Sequence, residues 1–133
     1  MWLEIEDYPK LVGSADLGVC LHYSSSGVDL PMKVVDMFSA QLGKKIVLKF
    51  IGCLAINYKS ISELVKDKEN GQIFIDKEQL GDQIYAILNE FENGYSSTLE
   101  KYRENLSKGF CKQKWEDHWN NSVYEQIIKD NTP

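Results

Sequence analysis

An apolar segment of strand length, a short polar turn and an amphipathic helix follow one another within residues 17–38. The turn, residues 24–27, reads Ser-Ser-Ser-Gly, and apolar residues recur at helical spacing over residues 30–38, with Pro31 suited to the first helical turn. This order of strand, turn and helix is the building unit of an α/β sheet. The first N–H groups of such a helix lack intrahelical partners and, with the helix dipole, favour an anion. We therefore predict an α/β fold with a phosphate-binding turn at the carboxyl end of a strand.

The rest of the chain alternates between strand and helix patterns, which predicts a short parallel sheet with flanking helices and a helical tail. Predicted strands cover residues 17–21, 46–51, 53–57 and 72–75. A short predicted helix begins after Asp7 and ends near residues 13–14, and further predicted helices cover residues 30–38, 60–65, 77–91, 97–110 and 115–129. The first strand is apolar almost throughout, so we expect it to be covered on both faces. The strands at 46–51 and 53–57 cannot be parallel neighbours, because a parallel pair needs a crossover connection. One of them is expected to be an extension or an edge element.

Capping residues mark several of the predicted helix boundaries. Asp7 and Asp76 are predicted N-caps, and Ser60 with Glu63 has the spacing of a capping box. The helix after Asp76 keeps its apolar period as far as the turn at residues 93–94, which makes it the clearest helix in the chain.

Length, charge and cysteine content exclude several classes of protein. The 133 residues fit one domain, residues 1–133, and the net charge of −5 argues against a nucleic-acid partner. The three cysteines, Cys20, Cys53 and Cys111, are widely spaced, which predicts reduced, mostly buried thiols in the cytosol or facing it, and no zinc site. No apolar segment is long enough to span a bilayer, and the first residues lack a signal-peptide pattern.

Two interpretations compete for the polar residues around the turn. Nucleophilic catalysis by a serine of the turn with His22 has little support, since no Gly-x-Ser-x-Gly motif is present, and His22 is expected to be buried or half-buried. Asp29 at the mouth of the turn and Asp36 on the helix are carboxylates that accept hydrogen bonds from sugar hydroxyls. The alternative is that Asp29 caps the helix and Asp36 is solvated, and spacing alone slightly favours that alternative.

Several motifs in the chain are typical of one protein family. They include Trp-Leu-Glu and Asp-Tyr-Pro within residues 2–9, the segments at 13–22, 24–27 and 29–38, and shorter matches at residues 55–59, 63–65 and 69–71. On these motifs the chain resembles the C-terminal, donor-binding part of the chitobiosyldiphosphodolichol β-mannosyltransferase family. The resemblance covers most of the chain and weakens in the last two predicted helices.

The resemblance implies a partial Rossmann-like C-terminal lobe of a glycosyltransferase of the B type, with GDP-mannose as donor substrate and neither metal nor cofactor. It implies mannose transfer, with inversion, to dolichol-diphosphate-linked chitobiose at the cytosolic face of the endoplasmic reticulum membrane, in N-glycan precursor assembly. In related enzymes an acidic pair brackets this turn and helix, and Asp29 and Asp36 match those places with a spacing one residue shorter. The residues expected to bind the donor are Ser24, Ser25, Ser26, Gly27, Asp29, Leu30, Pro31, Met32, Lys33 and Asp36.

Two differences from the family pattern accompany the resemblance. The match begins inside the C-terminal lobe, so we expect the membrane anchor, the acceptor-binding lobe and the general base to lie outside this chain, and the chain alone to be inactive. Residues 39–51 stand where the family has a short turn, and we expect them to be an insertion beside the site.

A noncatalytic, truncated paralogue that acts as an interaction module is the alternative function. In the parent fold the last helix packs against the other lobe, so Trp115 and Trp119 would form an exposed aromatic patch that favours a protein partner. A chain made without an anchor is expected in the cytosol.

Overall fold

Three short strands form one parallel sheet in this computed structural model, which describes residues 3–39, 51–91, 94–109 and 119. The strands are β1 (Leu17–Cys20), β2 (Gly52–Ile56) and β3 (Gly71–Phe74), and they lie in the order β1-β2-β3. Gly18 is in register with Cys53, and Ala55 with Ile73. The predicted α/β class with a short parallel sheet is confirmed.

Five helices accompany the sheet in the described residues. They are α1 (Tyr8–Gly13), α2 (Met32–Ser39), α3 (Ile61–Leu64), α4 (Lys77–Asn89) and α5 (Ser97–Lys108). The N-cap prediction for Asp76 is confirmed, since its carboxylate accepts the N–H of Gln79 at 2.8 Å. No helix of the described residues is long and apolar enough to cross a membrane.

The central strand β2 divides the core into two clusters by the alternation of its side chains. Cys53 and Ala55 belong to a cluster with residues of α2 and α3, whereas Leu54 belongs to a cluster with residues of α4 and α5. A strand buried in this way needs apolar residues at successive positions. The sequence at residues 52–56 provides them, and it is the second of the two competing predicted strands that forms the centre of the sheet.

Helix α2 is seated closely against β1. A side chain at Gly18 would collide with the Met37 sulfur, so the glycine allows the helix to approach the strand. Val34 and Phe38 of α2 are fully buried in the first cluster. Burial of side chains of this size contributes roughly 1.5–3 kcal/mol each to the free energy of folding. The position of the helix that follows the serine turn is therefore fixed by its packing.

Several details of the sequence prediction are wrong. Strand β1 is at the edge of the described sheet, and Val19 is 39% exposed, so the strand is not covered on both faces. Helix α2 begins at Met32, after Leu30 and Pro31, and α4 ends before the predicted turn at residues 93–94. Asp7 occupies the N-cap position of α1 as predicted, but its carboxylate makes no cap bond and instead accepts Lys10 Nζ at 2.7 Å.

The prediction for Ser60 is also wrong. Ser60 precedes α3 as predicted, but its side chain makes no cap hydrogen bond within that helix. Some predictions lie outside the described residues: residues 46–50 of one predicted strand, Cys111, and most of the last predicted helix, with Trp115. The predicted insertion at residues 39–51 stays a prediction.

Candidate functional site

The segment at residues 24–29, called the serine turn below, is organised around one buried hydroxyl. Ser24 is 3% exposed, and its Oγ accepts the N–H of Gly27 at 3.0 Å and the N–H of Asp29 at 3.4 Å. The N–H of Val28 donates to Ser26 Oγ at 3.3 Å. Because these bonds use serine oxygens in place of a helix or sheet ladder, the turn closes on its own side chains.

Gly27 has the backbone conformation that the tight turn requires. Its φ is +72°, in the left-handed region that glycine enters without a steric penalty. The N–H of Gly27 also lies 3.2 Å from the carbonyl oxygen of Ser24, which closes the turn through the main chain. The glycine of the Ser-Ser-Ser-Gly sequence is therefore needed for the shape of the turn.

The segment between β2 and α3 holds the serine turn in place. Tyr58 donates its hydroxyl to the carbonyl oxygen of Asp29 at 2.9 Å, and Ser60 donates its hydroxyl to the carbonyl oxygen of Gly27 at 2.6 Å. Burial raises the pKa of Tyr58, which keeps the phenol protonated and able to donate. Ser60 therefore braces the turn instead of capping α3, because its hydroxyl proton goes to a carbonyl 33 residues away.

The Asp29 carboxylate faces back into the serine turn. Its Oδ2 accepts the hydroxyls of Ser24 and Ser26, each at 3.2 Å. In the described residues, neither carboxylate oxygen of Asp29 accepts an N–H of α2. The interpretation of Asp29 as a cap of α2 is therefore wrong. The two serine hydroxyls instead hold the carboxylate at the mouth of the turn.

Asp36 belongs to a second polar cluster, formed with Tyr8 and Lys33. Asp36 Oδ2 accepts the Tyr8 hydroxyl at 3.0 Å and Lys33 Nζ at 3.2 Å. The hydrogen bonds to Tyr8 and then to Asp36 raise the pKa of Lys33. The interpretation of Asp36 as a merely solvated residue is therefore wrong, and Asp29 and Asp36 do not share a hydrogen-bond partner in the described residues.

A surface cleft of about 320 Å³ lies where the serine turn meets α2. It is lined by His22, Asp29, Leu30, Pro31, Met32 and Lys33. The cleft therefore brings together five of the ten residues predicted to bind the donor, while Ser24, Ser25, Ser26, Gly27 and Asp36 are outside its lining. Ser25 is exposed, and the buried Ser24 acts on the shape of the turn.

The start of α2 supplies main-chain donors to the cleft. Pro31 has no N–H, and the N–H of Val34 is bonded to the carbonyl oxygen of Pro31 at 2.9 Å. In the part of the chain that the structure describes, no side chain bonds to the N–H groups of Met32 or Lys33. These two groups, at the positive end of the helix dipole, are suited to an anionic ligand.

Sequence reasoning missed three residues of this region. His22 was expected to be buried or half-buried, but it is exposed and lines the cleft because it follows the end of β1. Tyr58 and Tyr8 contact the site through bonds to residues 29 and 28 positions away, respectively. Tyr58 and Tyr8 both fall within the motifs that carried the family resemblance, which was the only signal that pointed to them.

Several curated proteins with similar sequences share one activity in their names. Chitobiosyldiphosphodolichol beta-mannosyltransferases of Homo sapiens and Pongo abelii are each 46% identical over 127 residues, covering 96% of this chain and 25% of the relative. The chain is a homologue of part of these mannosyltransferases. A UDP-glycosyltransferase of Arabidopsis thaliana named TURAN is 44% identical over 120 residues, covering 88% of this chain and 24% of the relative.

The chain spans about a quarter of the length of these relatives. No family model matches the chain, and no solved structure matches it. The resemblance to the chitobiosyldiphosphodolichol β-mannosyltransferase family is confirmed, and the parallel α/β sheet agrees with a partial Rossmann-like glycosyltransferase lobe.

Proposed function

We propose that this chain forms the donor-binding part of a β-mannosyltransferase that transfers mannose from GDP-mannose to dolichol-diphosphate-linked chitobiose. The observation that carries the proposal is the 46% identity, over 96% of the chain, to proteins named chitobiosyldiphosphodolichol beta-mannosyltransferase. The acceptor and the general base would be held by the remaining three quarters of such a protein. The proposed setting is the cytosolic face of the endoplasmic reticulum membrane, in N-glycan precursor assembly.

The proposed place of the diphosphate is the cleft between the serine turn and α2. The N–H groups of Met32 and Lys33, at the start of a helix of eight residues, would donate to the diphosphate there. A cleft of about 320 Å³ is at the small end of the range for ligand sites, which is roughly 300–1,000 Å³. A nucleotide sugar would therefore be only partly enclosed, and the other face would need a second lobe.

Two carboxylates lie beside the proposed place of the diphosphate, and each has its own hydrogen-bond partners. Asp29 Oδ2 accepts two serine hydroxyls, and Asp36 is paired with the Lys33 ammonium. Opposite charges about 3 Å apart largely cancel their field at a distance. We propose that Asp29 and Asp36 accept hydroxyls of the donor, as in the acidic pair of related enzymes, and that the Lys33 ammonium offsets the charge of Asp36 beside the phosphates.

Calorimetric titration of the chain tests this proposal. GDP-mannose and GDP are expected to bind with a dissociation constant of about 1 mM or below, equivalent to about 4 kcal/mol or more of binding free energy. UDP-glucose is the matched control, because one relative is named a UDP-glycosyltransferase. Absence of heat with both guanine nucleotides at millimolar concentration would contradict retained donor binding, and a preference for UDP-glucose would contradict the choice of donor.

A mannose-transfer assay tests whether the chain is active without the rest of the proposed enzyme. We expect no transfer of mannose to a dolichol-diphosphate chitobiose acceptor by the chain alone, because the proposed acceptor lobe lies outside it. Measurable transfer by the purified chain would contradict the proposal that the acceptor lobe lies outside it.

The second candidate function is a noncatalytic interaction module. The observation that favours it is the aromatic side chain of Trp119, which is 40% exposed in a region predicted to bind a partner. Size-exclusion chromatography with light scattering tests self-association through this surface. A strictly monomeric chain that binds GDP-mannose would favour the donor-binding function, whereas an oligomer without nucleotide binding would favour the module.

A further inference from the structure

Tyr8 connects two helices through one carboxylate oxygen. It lies on α1, 28 residues before Asp36 on α2, and its hydroxyl donates to Asp36 Oδ2 at 3.0 Å. The same hydroxyl accepts a hydrogen bond from Lys33 Nζ at 3.3 Å, and the Lys33 ammonium lies 5.2 Å from the centre of the Tyr8 ring. Tyr8 therefore contacts both charged members of the cluster with its hydroxyl and its ring face.

All the hydrogen bonds of this cluster to Asp36 fall on one oxygen. Tyr8 and Lys33 both bond to Oδ2, and the Asp36 side chain is 31% exposed. A carboxylate has about four lone-pair sites on its two oxygens, so Oδ1 keeps its capacity to accept from a ligand. The bond from Tyr8 removes one torsional freedom of the carboxylate and sets the direction of Oδ1.

The cluster lies next to the proposed nucleotide site. Lys33 is one of the residues that line the cleft, and its ammonium is 3.2 Å from Asp36 Oδ2. The group that Oδ1 would recognise at this place is a hydrogen-bond donor, because an ionised carboxylate is an acceptor only. The ribose of a nucleoside diphosphate offers such donors as two hydroxyls on neighbouring carbons, and the test below removes these hydroxyls while it keeps the N–H groups of the base.

We propose that Tyr8 is a positioning residue of the nucleotide site: it holds Asp36 so that Oδ1 accepts a hydrogen bond from the ribose diol of a nucleoside diphosphate. This inference rests on the proposed function. Tyr8 does not touch the nucleotide itself, and its effect is confined to ligands that carry the diol. Positioning of a charge-assisted hydrogen bond matters because such bonds are about twice as strong as neutral ones.

The test compares GDP with 2′,3′-dideoxy-GDP, which has the same base and diphosphate but no diol. The unmodified chain is expected to bind GDP about tenfold more tightly, since a hydrogen bond to a charged group is commonly worth that factor. Tyr8→Phe keeps the ring over Lys33 and removes only the hydroxyl, and it is expected to lower the preference to about twofold. Tyr85→Phe, at an exposed position of α4, is the matched control and is expected to keep the tenfold preference.

A second variant keeps the inference testable if Tyr8→Phe does not fold. Asp36→Asn leaves Tyr8 in place and is expected to reduce the same preference, and the thermal midpoint of each variant is measured beside the titrations. Equal weakening of both nucleotides by Tyr8→Phe would show a merely structural role and overturn the inference. An unmodified chain that binds both nucleotides equally would overturn this inference alone, whereas one that binds neither would overturn the proposed function as well.

Discussion

Two turns rich in serine precede helices in this molecule, and they use their hydroxyls in opposite ways. Before α5, Glu90 accepts the Thr98 hydroxyl at 3.0 Å and the Thr98 N–H at 3.2 Å, and Ser96 Oγ accepts the N–H of Leu99 at 3.3 Å. Before α2, the oxygens of Ser24 and Ser26 accept N–H groups of the turn itself. Side chains of the protein therefore accept N–H groups at the start of α5, whereas the first N–H groups of α2 are available to a ligand in the cleft.

Spacing explains the difference between these two turns. Ser96 is directly adjacent to α5 and caps it, whereas the residues 27–31 separate Ser26 from the first residue of α2. A serine needs to be the N-cap residue for its oxygen to reach the second or third helical N–H. The same residue types therefore build a closed cap in one place and a candidate ligand site in the other.

The largest difference in unfolding free energy and GDP affinity between the two turns is expected when Ser24 or Ser96 is replaced by alanine. Ser24→Ala removes a buried hydroxyl that serves two N–H groups and the Asp29 carboxylate, and should lower the free energy of unfolding by about 2 kcal/mol. Ser96→Ala removes a helix cap and should cost about 1 kcal/mol. Urea unfolding measures both, and only Ser24→Ala should also weaken GDP binding. An equal loss of GDP affinity in both variants would contradict a difference in role.

A smaller contrast of opposite sign is expected from two glycines. Gly27→Ala places a side chain at φ +72° and should destabilise the chain by about 1–2 kcal/mol. Gly81→Ala, in an open position of α4, should stabilise the chain by about 0.5–1 kcal/mol through helix propensity. Thermal unfolding of the two variants gives the signs directly. Stabilisation by Gly27→Ala would show that the serine turn does not need its left-handed residue.

The smallest effect is expected in the acid stability of the α5 cap. The hydroxyl and then the N–H of Thr98 lower the pKa of Glu90 below its ordinary value of 4.5. A depressed folded-state pKa contributes stability above about pH 4.5 that is lost as the pH falls through the folded-state pKa. Glu90→Gln should reduce the loss of unfolding free energy at acid pH, called the acid limb, and should lower the unfolding free energy at pH 7 slightly. Urea midpoints from pH 3 to 7 measure it, and an unchanged acid limb would contradict the assignment.

The strand, turn and helix around the serine turn were predictable because each leaves a local pattern. Apolar periodicity located α2 and the N-cap preference of aspartate located the start of α4, and both are set by neighbours within about four residues. The contacts of Tyr8, Tyr58 and Ser60 join residues 28 to 33 positions apart, so no local pattern encodes them.

Ser60 shows why a local pattern is sometimes overruled. Its spacing to Glu63 predicts a capping box, but the folded chain presents the carbonyl oxygen of Gly27 at 2.6 Å. A hydroxyl has one proton to donate, so it satisfies the buried carbonyl beside it. The family resemblance pointed to the correct segment of the chain, and the tertiary structure was needed to show which atoms in it meet.

We expect a nucleoside diphosphate to bind at the start of α2 and not at the start of α5. Amide chemical shifts of the ¹⁵N-labelled chain during a GDP titration test it most directly, because they report on both helix starts in one experiment. We predict saturating shifts at Gly27, Met32 and Lys33, with Thr98 and Leu99 unchanged. Unchanged shifts at the α2 start, or equal shifts at both helix starts, would contradict it.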